Sequence, residues 1–219
     1  NWHPRLSLID LPGTNDTNQH RTAITDSLRD KAQAVAICTS DSNLGPDIES
    51  WPRNSTVLKD FLESTDRRHQ RIFIIRTKFD NFHPEIDEDV EEDDEEQQER
   101  HYRDAIAAHK REQTDSYHAM LKAISAPVLP LGRDASERRK LEEMKHRIDD
   151  IEVFFVSALA HEAFEGRWTA TRRTKRRLSE QFNDDSAETG IQALRDFMNT
   201  IADDYLTENY YADLNRRLE

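Results

Sequence analysis

The sequence predicts an α/β fold in which a mostly parallel sheet is flanked by helices. Four apolar runs have the length of strands, and they are continuous rather than alternating, as expected for parallel strands covered on both faces. Segments with helical spacing separate these runs, which favours an alternation of strand and helix. The four predicted strands are Leu6–Ile9, Ala34–Cys38, Ile72–Ile75 and Val153–Val156.

The predicted helices follow from apolar side chains that recur every three or four residues. Asp134 and Glu137 have the spacing of a capping box, which indicates the start of one of them. The final helix is expected to turn Ile191, Leu194, Phe197, Met198, Ile201 and Tyr205 inward. The predicted helices lie near Ile24 and Leu28, over Ser55–Glu63, from about Tyr102 to Pro127, from Asp134 to Ile148, and from Gly190 to Leu206.

The domain organisation follows from the spacing of the strands. The stretch between the third and fourth strands is too long for a simple crossover. We therefore interpret residues 1–206 as one partial domain with a helical and acidic insertion at about 83–150, and residues 207–219 as the start of a C-terminal helical extension.

Most of the net charge lies in one segment. The 219 residues carry a formal net charge of −13, but residues 85–99 hold eleven acids and no base, so the remainder carries −2. This segment lacks the alternating ligands and the glycine of a calcium loop, so a solvated acidic loop is favoured over a Ca²⁺ site or a surface for a basic partner.

Cys38 lies in an apolar run and is predicted to be a buried thiol. Because it is the single cysteine of the sequence, an internal disulfide framework is excluded.

The sequence also bears on location and partners. No run approaches the roughly 18 apolar residues of a membrane span, and the start does not resemble a signal peptide. We therefore expect a soluble intracellular domain, cytoplasmic or nuclear, with no support for membrane binding. The basic segment Arg172–Arg177 could contact phosphate, anionic lipid or the acidic segment of the same chain. It has no interleaved aromatic residues, so a solvated helix face is favoured and nucleic-acid binding is not. Because the chain begins with Asn1 and enters a predicted strand almost at once, we expect it to be a fragment.

Three predicted strands end in polar elements of matched chemistry. Asp10–Gly13, which reads Asp-Leu-Pro-Gly, follows the first strand. Thr77–Asp80, which reads Thr-Lys-Phe-Asp, follows the third, and Ser157-Ala158 follows the fourth. Each element taken alone is also typical of an ordinary turn, Pro-Gly above all. Together they occur in the order that a GTPase requires.

Asp80 has the chemistry of a residue that selects guanine. A fixed carboxylate accepts hydrogen bonds from both the N1 and the exocyclic N2 donors of guanine, whereas adenine offers no matching pair. Lys78 can lay its methylene stem along the face of the ring, and Thr77 would tie the loop to its neighbours. Ser157 and Ala158 are small, which lets backbone N–H groups approach the guanine O6.

Asp10 and Gly13 have the chemistry of the phosphate end of such a site. Asp10 would hold Mg²⁺ through an intervening water, because Mg²⁺ retains waters and uses few carboxylates. Gly13 would donate its backbone N–H to a γ-phosphate, and its missing side chain permits that approach.

In combination and order, these elements resemble the guanine-nucleotide-binding domain of the dynamin superfamily of large GTPases. The resemblance covers most of residues 5–206, and within the superfamily it is closer to divergent dynamin-like GTPases related to nuclear GTPases than to endocytic dynamin. It implies a domain that binds GTP with Mg²⁺, hydrolyses GTP when complete, and forms homodimers through its nucleotide domain.

The chain departs from this family because it lacks a phosphate loop. No Gly-x-x-x-x-Gly-Lys-Ser/Thr element occurs, and the five glycines cannot form one. That loop cradles the phosphates and holds Mg²⁺, so the fragment is expected to be inactive alone. In the family order, the loop and its strand precede Asp10, and that missing strand lies between the strands that end at Asp10 and Cys38. We expect those two strands to leave a gap or close up, and the residue that positions the attacking water is unassigned.

A second hypothesis is a non-catalytic, degenerate GTPase-fold module. Its acidic segment 85–99 and its basic stretch would then bind protein partners.

Overall fold

A three-stranded parallel sheet lies at the centre of the part of the chain that the structure describes. The strands are β1 (Ala34–Thr39), β2 (Arg71–Arg76) and β3 (Glu152–Phe155), in the spatial order β1-β2-β3. The sheet and its flanking helices confirm the α/β class. The computed structural model describes residues 2–9, 32–40, 61–62, 71–82, 95–126, 129–169, 171–182 and 184–218.

Helices and short 3-10 turns connect and cover these strands. Phe61 and Leu62 are helical, within the helix predicted over Ser55–Glu63, whose other residues and the helix predicted near Ile24 lie outside the described residues. A 3-10 turn, Phe79–Asn81, follows β2, and a second, Ser186–Thr189, precedes the last helix. The helices are α1 (Glu95–Ser125), α2 (Ala135–Asp149), α3 (Ala158–Phe164), α4 (Arg172–Phe182) and α5 (Ile191–Leu218).

One face of the sheet is covered by α1 and α2. Successive residues of a strand point to opposite faces, so Ile72 and Ile74 of β2 share this face. The described part of the long stretch between β2 and β3 is mostly helical, as predicted, and it supplies one wall of the core. However, α1 begins at Glu95, so the end of the acidic segment 85–99 is helical and not the expected loop. The buried side chains of this cluster are Ile37, Leu62, Ile72, Ile74, Tyr117, Leu121, Met144, Ile148 and Ile151.

The other face of the sheet is covered by α5. Phe73 of β2 packs edge-on against Phe197 of α5, with ring centroids 5.2 Å apart. Tyr205 was predicted to face inward but is 44% exposed. A helix of this length spans about 40 Å and the strands only about 20 Å, so its distal part has no sheet beneath it. The buried residues of this cluster are Phe73, Val156, Leu194, Met198 and Ile201.

The predicted first strand is wrong. Residues 2–9 form a turn at residues 4 and 5 and no ladder, and Leu8 and Ile9 are 67% and 58% exposed. The segment lies against α5 instead, where the backbone N–H of His3 donates to Asn199 Oδ1 at 2.8 Å. An apolar run forms a strand only where a neighbour satisfies its backbone groups, and no described strand pairs with this one. Because residues 6–9 form no strand, the expectation that this strand and β1 leave a gap or close up does not apply.

Cys38, predicted to be buried, is exposed. It alternates with Ile37 along β1 and so lies on the same face as Ala36, which is also exposed. The apolar run marks the strand correctly but does not show which of its faces is covered.

The predicted cap at the start of α2 is confirmed. The backbone N–H of Glu137 donates to Asp134 Oδ1 at 2.8 Å, which satisfies one of the donors that a helix start leaves unpaired. The Glu137 side chain does not complete a capping box with Asp134, because its Oε2 accepts instead from the backbone N–H of Arg133 at 2.9 Å. None of the helices within the described ranges combines the length and apolarity needed to cross a membrane.

Gly190 joins the Ser186–Thr189 turn to α5 with a φ of +77°, and a Cβ there would overlap the carbonyl oxygen of Phe155. We predict that Gly190→Ala lowers the free energy of unfolding, measured in urea, by about 3 kcal/mol or more, because strain adds to a backbone clash. The matched control is Gly166→Ala, at φ +69° with no atom within 4 Å of the new Cβ. It should lose only about 1–2 kcal/mol, and equal losses in the two variants would contradict the prediction.

Candidate functional site

The polar elements that follow β2 and β3 meet at the carboxyl edge of the sheet. The backbone N–H of Val156 donates to the carbonyl of Arg76 at 2.8 Å, and the N–H of Phe79 donates to the carbonyl of Val156 at 3.2 Å. The two loops are therefore hydrogen-bonded to each other. In open parallel α/β sheets this is the edge at which ligands bind.

Asp80 and Ser157 are in direct contact at this edge. Ser157 Oγ donates to Asp80 Oδ1 at 2.6 Å, a length typical of a hydrogen bond to a carboxylate. The two residues are 5% and 0% exposed, so water cannot take the place of either partner. The structure thus brings together two residues that lie 77 positions apart and that are predicted from the sequence to share one base site.

The second oxygen of Asp80 faces α4. Arg177 Nη2 lies 3.9 Å from Asp80 Oδ2, within range of an ion pair and beyond that of a hydrogen bond. The Arg177 side chain is 38% exposed, and its Nε is buried without a hydrogen-bond partner. The two oxygens therefore differ, since Oδ1 is held by a short hydrogen bond and Oδ2 by a loose electrostatic contact.

Thr77 ties the loop to the neighbouring strand. Its backbone N–H and its Oγ1 both donate to the carbonyl oxygen of Thr39, at 2.8 and 3.1 Å. Thr39 is the last residue of β1, so these bonds join the ends of β1 and β2. The predicted tie to neighbouring elements is therefore present in the structure.

Lys78 has a backbone conformation that lysine rarely adopts. Its φ of 55° and ψ of 37° lie in the left-handed region, which costs a residue with a Cβ about 1–2 kcal/mol. The hydrogen bonds of Thr77 before it and the burial of Phe79 after it impose this conformation. The side chain of Lys78 is exposed at the same edge of the sheet as Asp80.

Ser157 also begins α3. Its Oγ accepts from the backbone N–H of Ala160 at 3.0 Å, and its own N–H donates to the carbonyl of Thr189 at 3.0 Å. Ala158 is the first residue of α3 and is exposed. The first N–H groups of a helix have no partner within it, and the small Ala158 side chain adds little bulk beside them.

Aromatic packing from α1 supports the Thr77–Asp80 loop. Phe82 stacks on the His109 ring, with centroids 3.6 Å apart, and Lys110 Nζ lies 5.2 Å from the centre of the Phe79 ring. Burial lowers the pKa of His109 and that of Lys110, and Glu188 partly offsets the shift of Lys110. Desolvation thus favours the neutral form of the stacked imidazole.

The residues of α4 at this site were not predicted from the sequence. Gln181 Nε2 donates to the carbonyl of Phe79 at 2.9 Å, and Arg177 lies beside Asp80. A signal was present in the spacing of Leu178 and Phe182, because apolar residues four apart mark the inward face of a helix. Each of the two polar residues directly precedes one of these apolar residues.

The predicted phosphate elements cannot be placed. Asp10 and Gly13 lie outside the described residues, so their roles toward Mg²⁺ and the γ-phosphate stay predictions. Within the described ranges, no group of three or more His, Cys, Asp or Glu side chains is arranged to hold a metal ion.

Comparison of the chain with protein-family models, with curated proteins and with solved structures gives no match. What the site binds is therefore inferred from its own residues.

We predict that Ser157→Ala lowers the free energy of unfolding by about 2–4 kcal/mol, because it removes a helix cap and a buried hydrogen bond to a carboxylate. Asp134→Ala is the matched control, since Asp134 caps α2 at an exposed site without a buried partner. It should cost only about 1 kcal/mol in the same urea titration. Equal costs would show that the Asp80 contact adds nothing to stability.

Proposed function

We propose that this chain is part of a GTP-binding domain and that Asp80 recognises the guanine base. The observation that carries the proposal is the buried Asp80 carboxylate, held at the carboxyl edge of a parallel sheet by Ser157. The residues also have the order of the base-recognition elements of the dynamin superfamily, which the chain resembles in these motifs. GTP is therefore the ligand that the combined features support best.

The hydrogen-bond pattern at Asp80 suits a ligand with two adjacent donors. The Ser157 hydroxyl has one proton and donates it to Oδ1, which orients the carboxylate. The remaining lone pairs of Asp80 can accept from the N1–H and N2–H groups of guanine. Adenine presents an acceptor at N1 and would leave the buried carboxylate without a donor, which disfavours its binding.

Hydrolysis of GTP is part of the proposal for the complete domain. A bound Mg²⁺ ion would supply charge neutralisation at the β- and γ-phosphates, with Asp10 as its expected ligand through water. The residue that positions the attacking water is unassigned, so no catalytic step is attributed to the described residues. Homodimerisation through the nucleotide domain remains an implication of the family resemblance.

A protein-interaction module is the second candidate. The observation that favours it is the exposed basic side of α4, which includes Arg172, Lys175 and Arg176. Such a surface fits an acidic protein partner and does not require nucleotide. Binding of guanine nucleotides distinguishes the two candidates, because only the GTPase proposal depends on it.

We predict that Asp80→Asn changes the base preference of the site from guanine to xanthine. Ser157 would still donate to the asparagine Oδ1, which leaves the Nδ2 donor facing the base, where xanthine carries an oxygen at C2. The ratio of GDP to xanthosine diphosphate affinity should fall about 10- to 100-fold, the worth of one bidentate base contact. Ligand-detected NMR on the full chain measures both affinities.

Asp185→Asn is the control for this measurement, because Asp185 caps the Ser186–Thr189 turn and does not contact Asp80 through any described bond. It should leave the ratio unchanged. An unchanged ratio in Asp80→Asn would refute the base-recognition role of Asp80.

We predict opposite effects of Lys78→Gly on stability and on binding. Glycine relieves the left-handed strain and should raise the free energy of unfolding by about 1 kcal/mol after its own entropic cost. Loss of the methylene stem should weaken GDP binding about fivefold or more. Lys78→Ala, which keeps the strain and loses the stem, should weaken binding without the stabilisation. Undiminished GDP affinity in both variants would exclude a contact between Lys78 and the base.

A further inference from the structure

Arg177 lies beside the oxygen of Asp80 that Ser157 does not contact. Ser157 holds Oδ1 at 2.6 Å, and the Arg177 guanidinium lies 3.9 Å from Oδ2. Both residues reach Asp80 from elements that follow β3, but they hold it differently. Ser157 is fully buried, whereas the Arg177 side chain is partly exposed.

A guanidinium and the edge of guanine present the same pattern to a carboxylate. Each offers two nearly parallel N–H donors, which is the arrangement that a carboxylate accepts in a bidentate pair. Ser157 uses one lone pair of Oδ1, so a bidentate contact from either group would have to bridge the remaining lone pairs of Oδ1 and Oδ2. The guanidinium and the base cannot both occupy those positions.

The geometry of Arg177 allows its displacement. The contact with Asp80 is longer than a hydrogen bond, and Arg177 Nε has no partner although it is buried. At 3.9 Å, and with the Arg177 side chain 38% exposed, this contact is weaker than a hydrogen-bonded ion pair. The guanidinium is therefore close enough to oppose a competing donor and too loosely held to exclude it.

The backbone of α4 is anchored beside the site independently of Arg177. Leu178 and Phe182 are buried in the cluster that contains Phe79, and Gln181 donates to the carbonyl of Phe79. Movement of the Arg177 side chain therefore does not require movement of the helix. Truncation of that side chain should leave the fold intact.

We propose that Arg177 is an internal competitor for the guanine edge, so that a base binds Asp80 by displacing the Arg177 guanidinium. This inference rests on the proposed guanine-binding function and concerns the specificity and strength of that same site.

The test measures binding of guanosine, which carries no phosphate, to the full chain and to Arg177→Ala by ligand-detected NMR. An uncharged ligand excludes a general effect of removing a cation. Arg177→Ala should tighten guanosine binding about three- to tenfold, the range expected for a weak ion pair. Adenosine should not gain. The control is Arg176→Ala, which removes an exposed cation paired with Glu180 on the same helix and should change nothing.

Salt provides a second readout. Screening weakens the pair between Arg177 and Asp80, so added salt should tighten guanosine binding to the parent chain and leave guanosine binding by Arg177→Ala unaffected.

Unchanged or weaker guanosine binding in Arg177→Ala would overturn the inference without contradicting the guanine site itself. If guanosine binds neither protein, the proposed function fails as well, so the two failures are distinguishable.

Discussion

The hydrogen bond from Ser157 to Asp80 is the contact on which the candidate site depends. The same serine oxygen caps α3 through the N–H of Ala160, and the Ser157 backbone reaches the carbonyl of Thr189 just before α5. One buried residue therefore orients the carboxylate, starts one helix and positions the approach to another. Because water is excluded there, no solvent molecule can replace a lost partner, and each bond contributes more than it would at the surface.

Much of the fold could be predicted because continuous apolar runs mark strands covered on both faces. Ile74 faces α1 and α2 while Phe73 faces α5, which explains why β2 shows no alternation. The segment Leu6–Ile9 has the same local pattern and forms no ladder, since pairing depends on a neighbour that local sequence does not reveal. The exposure of Cys38 was missed for the same reason, because it depends on what covers β1 and not on the strand itself.

The meeting of Thr77–Asp80 with Ser157-Ala158 was implied by the order of their strands, since parallel strands end at one edge. The involvement of Arg177 was not, because a basic run is typical of a solvated helix face. The packing of Leu178 and Phe182 against Phe79, together with the hydrogen bond from Gln181, turns that part of α4 toward Asp80. The strain at Lys78 was equally hidden, since a left-handed φ at lysine is imposed by its surroundings and not by its residue type.

The energetic cost of this arrangement argues for a ligand. A buried carboxylate with a loose ion pair stabilises a fold less than apolar side chains of the same volume would. Lys78 adds backbone strain at the same edge, and neither side chain belongs to the two apolar clusters that cover the sheet. Strain and unoptimised charge at one place are typical of functional sites. An anion would be repelled by Asp80, whereas a ligand that brings two N–H donors can use the lone pairs of Oδ1 and Oδ2 that the protein leaves without a hydrogen bond.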